Sequence, residues 1–280
     1  MPRRPPARLK LAARGADEGT PLLRFVTARG GVSEEIARAA ILRGGAFLRG
    51  RRERDPEKVV SEGDRVEVDL REPAQAALGK ERILHLDAQL VAVDKPAGLS
   101  AQEDRGGGPS LPDLCSKLIG GPALLVHRLD RGTTGVTVLA RTKAAQATLL
   151  EEFREHRARK EYRALVSGVP PAEGSIDLPI AGAAAATRFR LLEPFPEAAL
   201  VSALPETGRT HQIRIHLREL GYPLLGDARH GGPMFLTRAD GRRIDFQRPM
   251  LHALSLQLRG LTLRAPLPPD FEAALAFLRR

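Results

Sequence analysis

An α+β fold, in which a mixed and mainly antiparallel β-sheet domain follows a small αβ module, is predicted by three observations on the 280-residue chain. Strand-like apolar runs outnumber helical ones. The helices are scattered among the strands and do not alternate with them. A polar, alanine-rich stretch containing Pro73 separates two differently patterned regions. These divide the chain into a basic, disordered arm at 1–20, a module at 21–71, a linker at 72–82 and a sheet domain at 83–280. The length exceeds one average domain and falls short of three, and 42% hydrophobic residues are enough to bury a core.

The arm carries Arg3, Arg4, Arg8, Lys10 and Arg14 without an acid up to that point, but Pro2, Pro5 and Pro6 oppose a helix. It also lacks the apolar core of a secretory signal. In the module, Leu22, Leu23, Phe25 and Val26 open a helical pattern. Ser33 is placed to cap a second helix whose first turn holds Glu34 and Glu35, acids that the helix dipole favours. That helix runs through Ile36, Ala39, Ala40 and Ile41 to a Gly44-Gly45 stop. Strands follow at 46–48, 58–60 and 65–68, with Arg49 to Arg52 as a basic hairpin tip.

In the sheet domain, apolar pieces at 83–86 and 90–94 flank Asp87-Ala88-Gln89 and predict a hairpin. An apolar run at 124–129, interrupted by His127 and Arg128, ends at Asp130-Arg131-Gly132, and a strand resumes at 136–140. A helix is expected at 143–157 with Ala147, Leu150 and Phe153 on its apolar face, then a strand at 162–167.

The formal charge of +10 points to an acidic partner, nucleic acid ahead of an anionic membrane. No run approaches the ~20 apolar residues of a membrane span. The single cysteine, Cys115, excludes an internal disulfide framework and a cysteine-based zinc site, and it fits a reducing, cytoplasmic setting. No tryptophan and two tyrosines leave few rings for stacking bases.

Three stretches could carry chemistry. Asp130 ends an apolar run, where an ionised acid is costly unless something stabilises its charge; capping a turn is the plainer alternative. Tyr162 lies within a strand, as a core tyrosine also would. Between Gly208 and Leu217, helical spacing buries Ile213, Leu217 and Leu220 and projects Arg214 and Arg218 together. His211 and His216 are five apart, the wrong spacing for a helical zinc pair, so no metal is expected.

His127-Arg128-Leu129-Asp130 with Thr133-Thr134-Gly135-Val136, Lys160-x-Tyr162, and Gly208-Arg209-Thr210-His211-Gln212-Ile213-Arg214-x-His216 together resemble the RluA-type pseudouridine synthases. Leu90 to Leu99 resembles that family's first motif and Arg248 to Ala253 its late one, so the likeness spans about residues 83 to 273. The module at 21–71 is similar to the αL-type RNA-binding module that often precedes this domain, although Ser33-Glu34-Glu35 stands where such modules usually carry Ser-Arg. The stretch Ile180 to Arg188 is shorter and less basic than the family pattern, so target choice does not carry over.

The resemblance implies the pseudouridine synthase fold and isomerisation of uridine in RNA to pseudouridine, without a cofactor. By it, Asp130 is the catalytic carboxylate, acting as a nucleophile on the sugar or as a base that removes a ribose proton to give a glycal. Arg214 pairs with that carboxylate, and Tyr162 packs on the uracil and assists removal of the carbon-5 proton. A flipped-out uridine leaves a gap that Arg128 is placed to enter, or else Arg128 meets a phosphate or a core carboxylate. Arg209 and His211 orient the loop or touch RNA backbone. Lys95 fixes the first motif or contacts a phosphate. The expected partner is ribosomal RNA of the large subunit, with transfer RNA second, and no membrane or obligate protein partner is implied. A different class of reading is an RNA-binding or RNA-folding protein without catalysis, which would tolerate loss of Asp130. A glycosidase would need a second catalytic carboxyl, which these motifs do not supply.

Overall fold

The computed structural model describes residues 8–70, 78–101 and 107–279. Two units are present, one formed by residues 1–77 and 102–110, the other by 78–101 and 111–280.

The first unit contains β1 (Arg8–Ala12), α1 (Leu22–Gly30), α2 (Glu34–Leu42), β2 (Ala46–Leu48), β3 (Arg51–Glu53) and β4 (Arg65–Asp69). Its antiparallel sheet has the order β1-β4-β2-β3. Ser33 caps α2 as its sequence position implied, its hydroxyl accepting from the Ile36 N–H at 3.3 Å. Leu22, Phe25 and Val26 of α1 and Ala37, Ala40 and Ile41 of α2 are buried together with Val66 and Val68 of β4. The hairpin tip closes through Arg49-Gly50, both at positive φ (54° and 76°), the backbone that a two-residue hairpin turn requires.

Two expectations for this region are corrected. Arg8–Ala12, read as part of a disordered arm, form β1, because Leu9 alternates inward among basic residues and is buried in the module core. Residues 58–60 form no strand; Val59 makes only an isolated bridge to Pro21. Residues 1–7 of the expected arm and 71–77 of the expected linker lie outside the described residues.

The second unit begins with β5 (Ile83–Leu86), β6 (Leu90–Lys95), α3 (Leu111–Ile119), β7 (Leu124–Leu125), β8 (Thr134–Ala140), α4 (Lys143–Arg154) and β9 (Arg159–Ser167). It continues with β10 (Glu173–Ile176), β11 (Thr187–Pro194), β12 (Ala198–Pro205), α5 (Gln212–Glu219), β13 (Phe235–Thr237), β14 (Arg243–Asp245), β15 (Leu251–Leu258), β16 (Leu261–Arg264) and α6 (Pro269–Leu278). The large sheet has the order β10-β11-β12-β9-β15-β8-β6-β5, with β16 added on β15 and β7 on β8. Its pairings are antiparallel except β15 with β8, so the mixed, mainly antiparallel α+β class holds. The expected hairpin at 83–94 is present, and Asp87 Oδ1 accepts from the N–H groups of Gln89 and Leu90 at 2.7 and 2.8 Å.

Alternation along β9 decides what lies on each face. Tyr162, Ala164 and Val166 share a cluster with Ile213 and Leu217 of α5, whereas Leu165 packs with Phe271 and Leu275 of α6 on the other side. Tyr162 is thereby aimed at the face that α5 covers. The apolar face predicted for α4 is corrected: Ala145 and Leu149 are its buried residues, while Leu150 is 45% exposed. Only Leu124–Leu125 of the run at 124–129 are strand. No helix among the described residues is long and apolar enough to cross a membrane.

The parallel joint between β8 and β15 sets Gly135 against Ala253. Gly135 has φ 110°, and a Cβ there would lie 2.2 Å from the Ala253 carbonyl oxygen, an atom of the adjoining strand's backbone. Gly135→Ala is therefore expected to lower unfolding stability by at least about 2 kcal/mol in a denaturant titration. A loss below about 0.5 kcal/mol would show that the joint yields.

Candidate active site

A cleft of about 560 Å³ opens where the loop after β7, the start of β9 and the N-terminal end of α5 converge. Its lining includes Arg128, Asp130, Tyr162, Arg209, His211 and Arg214, six of the seven residues singled out from the sequence. A cleft of this volume lies within the ordinary range of small-molecule sites.

Arg214 is the joint of the site. It sits in the first turn of α5 and is 7% exposed. Its Nε and Nη2 donate to Asp227 Oδ2 and Oδ1, both at 2.7 Å, and its Nη1 donates to Asp130 Oδ2 at 3.1 Å. A planar guanidinium with five fixed donors is suited to clamp one carboxylate bidentately while presenting a third N–H to another. Asp227 is 1% exposed and Asp130 retains 19% of its side-chain surface, so the buried acid anchors the arginine and the second acid faces the cleft. Among the described residues, both ion-pair contacts of the Asp130 side chain fall on Oδ2: Arg214 Nη1, and His211 Nε2 at 3.8 Å. Arg218, expected to project with Arg214, points outward and pairs with Glu219.

Asp130 rides on a turn in which the Thr133 N–H donates to the Asp130 carbonyl at 3.0 Å. Neighbouring motifs pin that turn. The Gly98 N–H donates to the Arg131 carbonyl at 2.8 Å, and Arg248 Nη1 donates to the Gly132 carbonyl at 3.2 Å. Arg248 is itself fixed by Asp270 through Nε and Nη2 at 2.7 and 2.9 Å. His127 ties the start of the loop to β8, its Nε2 accepting from the Val138 N–H at 2.9 Å. Burial pulls the His127 imidazole down to about 3, so it stays neutral while stacked on Phe153.

Lys95, expected to fix its motif or to contact a phosphate, does the former. It is fully buried, and its Nζ donates to the carbonyls of Leu99 (2.8 Å), Pro96 (3.1 Å) and Arg131 (3.3 Å), leaving no face for RNA. Burial pulls this ammonium down to about 7, opposed by the nearby Asp130 carboxylate. Tyr162 is buried, and burial first and the Asp130 charge second raise its phenol well above the ordinary value, so it is present as the neutral phenol. Arg128 is exposed at the rim with one bond, Nη2 to Thr210 Oγ1 at 3.3 Å. Arg209 is also exposed, its Nε donating to the Ala184 carbonyl at 3.0 Å.

Two residues of the site were missed in the sequence. Asp227 follows an apolar Leu224-Leu225-Gly226 and has no periodic signature; the available cue was that a buried arginine needs more acceptors than one carboxylate supplies. Gln212 organises the loop before α5. Its Oε1 accepts from Thr207 Oγ1 (2.6 Å) and the Arg209 N–H (2.9 Å), and its Nε2 donates to the Ala186 carbonyl (2.8 Å) and Thr187 Oγ1 (3.0 Å). His216, fully buried, completes the chain by meeting Thr187 Oγ1 at 2.9 Å and the Leu178 carbonyl at 3.0 Å. Lys160 supports the same loop through the Thr207 carbonyl at 2.8 Å.

Residues 89–219 match the family model described as RNA pseudouridylate synthase. A ribosomal large subunit pseudouridine synthase D of Pseudomonas aeruginosa is 31% identical over 84% of this chain and 83% of its own length. An uncharacterized RNA pseudouridine synthase of Chloroflexus aurantiacus is 40% identical over 60% of this chain, and the chain spans 57% of that relative's length. Among solved structures, human RNA pseudouridylate synthase domain containing 4 superposes with a TM-score of 0.59 at 29% identity, covering 71% of this chain and 93% of that one.

Asp227→Asn removes the charge that balances the buried arginine while keeping its shape. Loss of one partner from a buried ion pair is expected to lower stability by about 3 kcal/mol, measured by denaturant unfolding. An unchanged midpoint would mean that Asp130 alone suffices to hold Arg214.

Proposed function

Because the chain belongs to the RluA-type RNA pseudouridylate synthase family, we propose that it isomerises uridine in RNA to pseudouridine, with Asp130 as the reacting carboxylate. The observation that carries this reading is the convergence of three motif residues, Asp130, Tyr162 and Arg214, on one cleft, with Arg214 on Asp130 at 3.1 Å. The relatives named for the ribosomal large subunit favour large-subunit ribosomal RNA as the substrate.

In the reaction the bond between uracil N1 and the ribose breaks, the base turns, and carbon 5 bonds to the same sugar carbon. The carbon-5 proton leaves and N1 gains one, so no redox partner or group donor is required. Asp130 supplies its unencumbered Oδ1, either attacking the sugar carbon or accepting the neighbouring ribose proton. Arg214 holds the other oxygen throughout, which fixes the direction of approach at little reorganisation cost. Tyr162, as a neutral phenol in the cleft wall, gives the free uracil a ring to rest on while it turns and a hydroxyl that can relay the carbon-5 proton. A stacked uridine must be flipped out to enter, at a cost of about a few kcal/mol, and the exposed Arg128 at the rim is placed to fill the vacated space.

The test is tritium release from RNA labelled at carbon 5 of uridine and taken from cells lacking this protein. Wild type is expected to release label from large-subunit ribosomal RNA. Asp130→Asn is expected to bind the RNA and to lose at least about a thousandfold in rate. Full activity in that variant would remove Asp130 from the chemistry, and release confined to transfer RNA would change the substrate.

A further inference from the structure

Beside Asp130 a second histidine backs the first. His211 occupies the residue before α5 at φ 58°, in the left-handed region. Its Nε2 faces Asp130 Oδ2 at 3.8 Å, and its Nδ1 lies 2.9 Å from Nε2 of His230. The two rings meet edge to face with centroids 5.1 Å apart. His230 closes the short helical turn at 228–230, one turn beyond Asp227, and its N–H donates to the Asp227 carbonyl at 3.0 Å. The acid that anchors Arg214 thus also anchors the histidine that backs His211.

We propose that His230 is a positioning residue: it donates from Nε2 to His211 Nδ1 and so holds the His211 ring with an Nε2–H directed at the Asp130 carboxylate. This rests on the reading of Asp130 as the reacting group.

A hydrogen bond between two neutral imidazoles admits one proton, so the pair has two arrangements. If His211 donates from Nδ1, its Nε2 is a lone pair turned toward a carboxylate oxygen, which is repulsive. If His230 donates from Nε2, His211 Nδ1 accepts and the proton of His211 resides on Nε2, toward the negative charge. The second arrangement is the favoured one, and it needs a donor at position 230. Neutrality of the pair follows from its surroundings. Asp130, Arg214 and Arg229 act on His211, and Asp227, Arg214, Arg218 and Arg229 act on His230. Burial, aided by these arginines and opposed by the acids, holds both imidazoles below the ordinary histidine value. With Arg214 and His211 both directed at Oδ2, Oδ1 is the oxygen left to react.

The experiment reads the tautomer directly, by long-range proton–nitrogen correlation of ¹⁵N-histidine-labelled full-length protein at pH 7.5, with tritium release measured in parallel. Wild type is expected to show His211 protonated on Nε2. His230→Phe keeps a ring but no donor; Asp130 still favours the Nε2–H form, so the unprotonated Nδ1 resonance of His211 is expected to move downfield as its accepted hydrogen bond is lost, and kcat to fall about tenfold with KM within twofold. His230→Gln, whose amide can donate to Nδ1, is expected to recover most of the kcat and the wild-type Nδ1 shift, which a merely structural loss would not. An Nδ1–H His211 in the wild type would overturn the proposal. So would an unaltered Nδ1 shift in His230→Phe, or loss of kcat in His230→Gln equal to that in His230→Phe despite matched melting temperatures. Wild type that releases no tritium from any RNA would sink the proposed function, while the nitrogen shifts would still decide the role of His230.

Discussion

The site depends on a single guanidinium shared unequally between two acids. Asp227 takes two of the Arg214 donors in a buried, bidentate pair, and Asp130 takes one at the edge of the cleft. On the proposed function, the inequality sets the roles. A carboxylate clamped on both oxygens in the protein interior is poorly placed to react, whereas one held through a single oxygen with some exposure keeps the other free. A buried charge persists only when paired and hydrogen-bonded, so burial of Arg214 on α5 requires Asp227. Placement of Arg214 in turn depends on Gln212 and His216, which fasten α5 to Ala186, Thr187 and Leu178.

The other half of the constraint is the turn that carries Asp130. Lys95, Gly98 and Arg248 come from distant parts of the chain and all bind backbone carbonyls of Arg131 or Gly132. Backbone carbonyls so occupied cannot drift with solvent, and the carboxylate one or two residues away inherits that rigidity. Charged residues in the first and late motifs therefore serve the geometry of the acid. Arg128 and Arg209, by contrast, are exposed at the rim of the cleft.

Much of this was legible in the sequence because the signals were local. Ser33 before two glutamates marks a helix start, and Asp87 between two apolar runs marks a hairpin. Asp130, Tyr162 and Arg214 stand in motifs dense enough to be matched to a family. Signals failed where tertiary context overrode the local pattern. Leu150 and Phe153 form an apolar stripe on α4; both line the cleft, and Phe153 alone of the two also packs against the core that buries Ala145 and Leu149. Leu9 is hidden among basic residues, yet its alternation pairs β1 with β4. Lys95 could fix its motif or meet a phosphate as far as the sequence shows, and three carbonyls that no local pattern reveals make its burial tolerable. Asp227 has its partner thirteen residues upstream, across a turn that no periodicity describes.

On the proposed function, the forked geometry of Arg214, beyond its charge, directs Asp130. Arg214→Lys tests it most directly, since an ammonium retains the charge and cannot clamp Asp227 bidentately while reaching Asp130. Steady-state tritium release is the measurement, made at a temperature where the variant's circular dichroism matches that of wild type. The expected result is kcat reduced by about a hundredfold or more with KM changed little. A lysine variant with kcat near that of wild type would show that a positive charge alone is enough, and would contradict it.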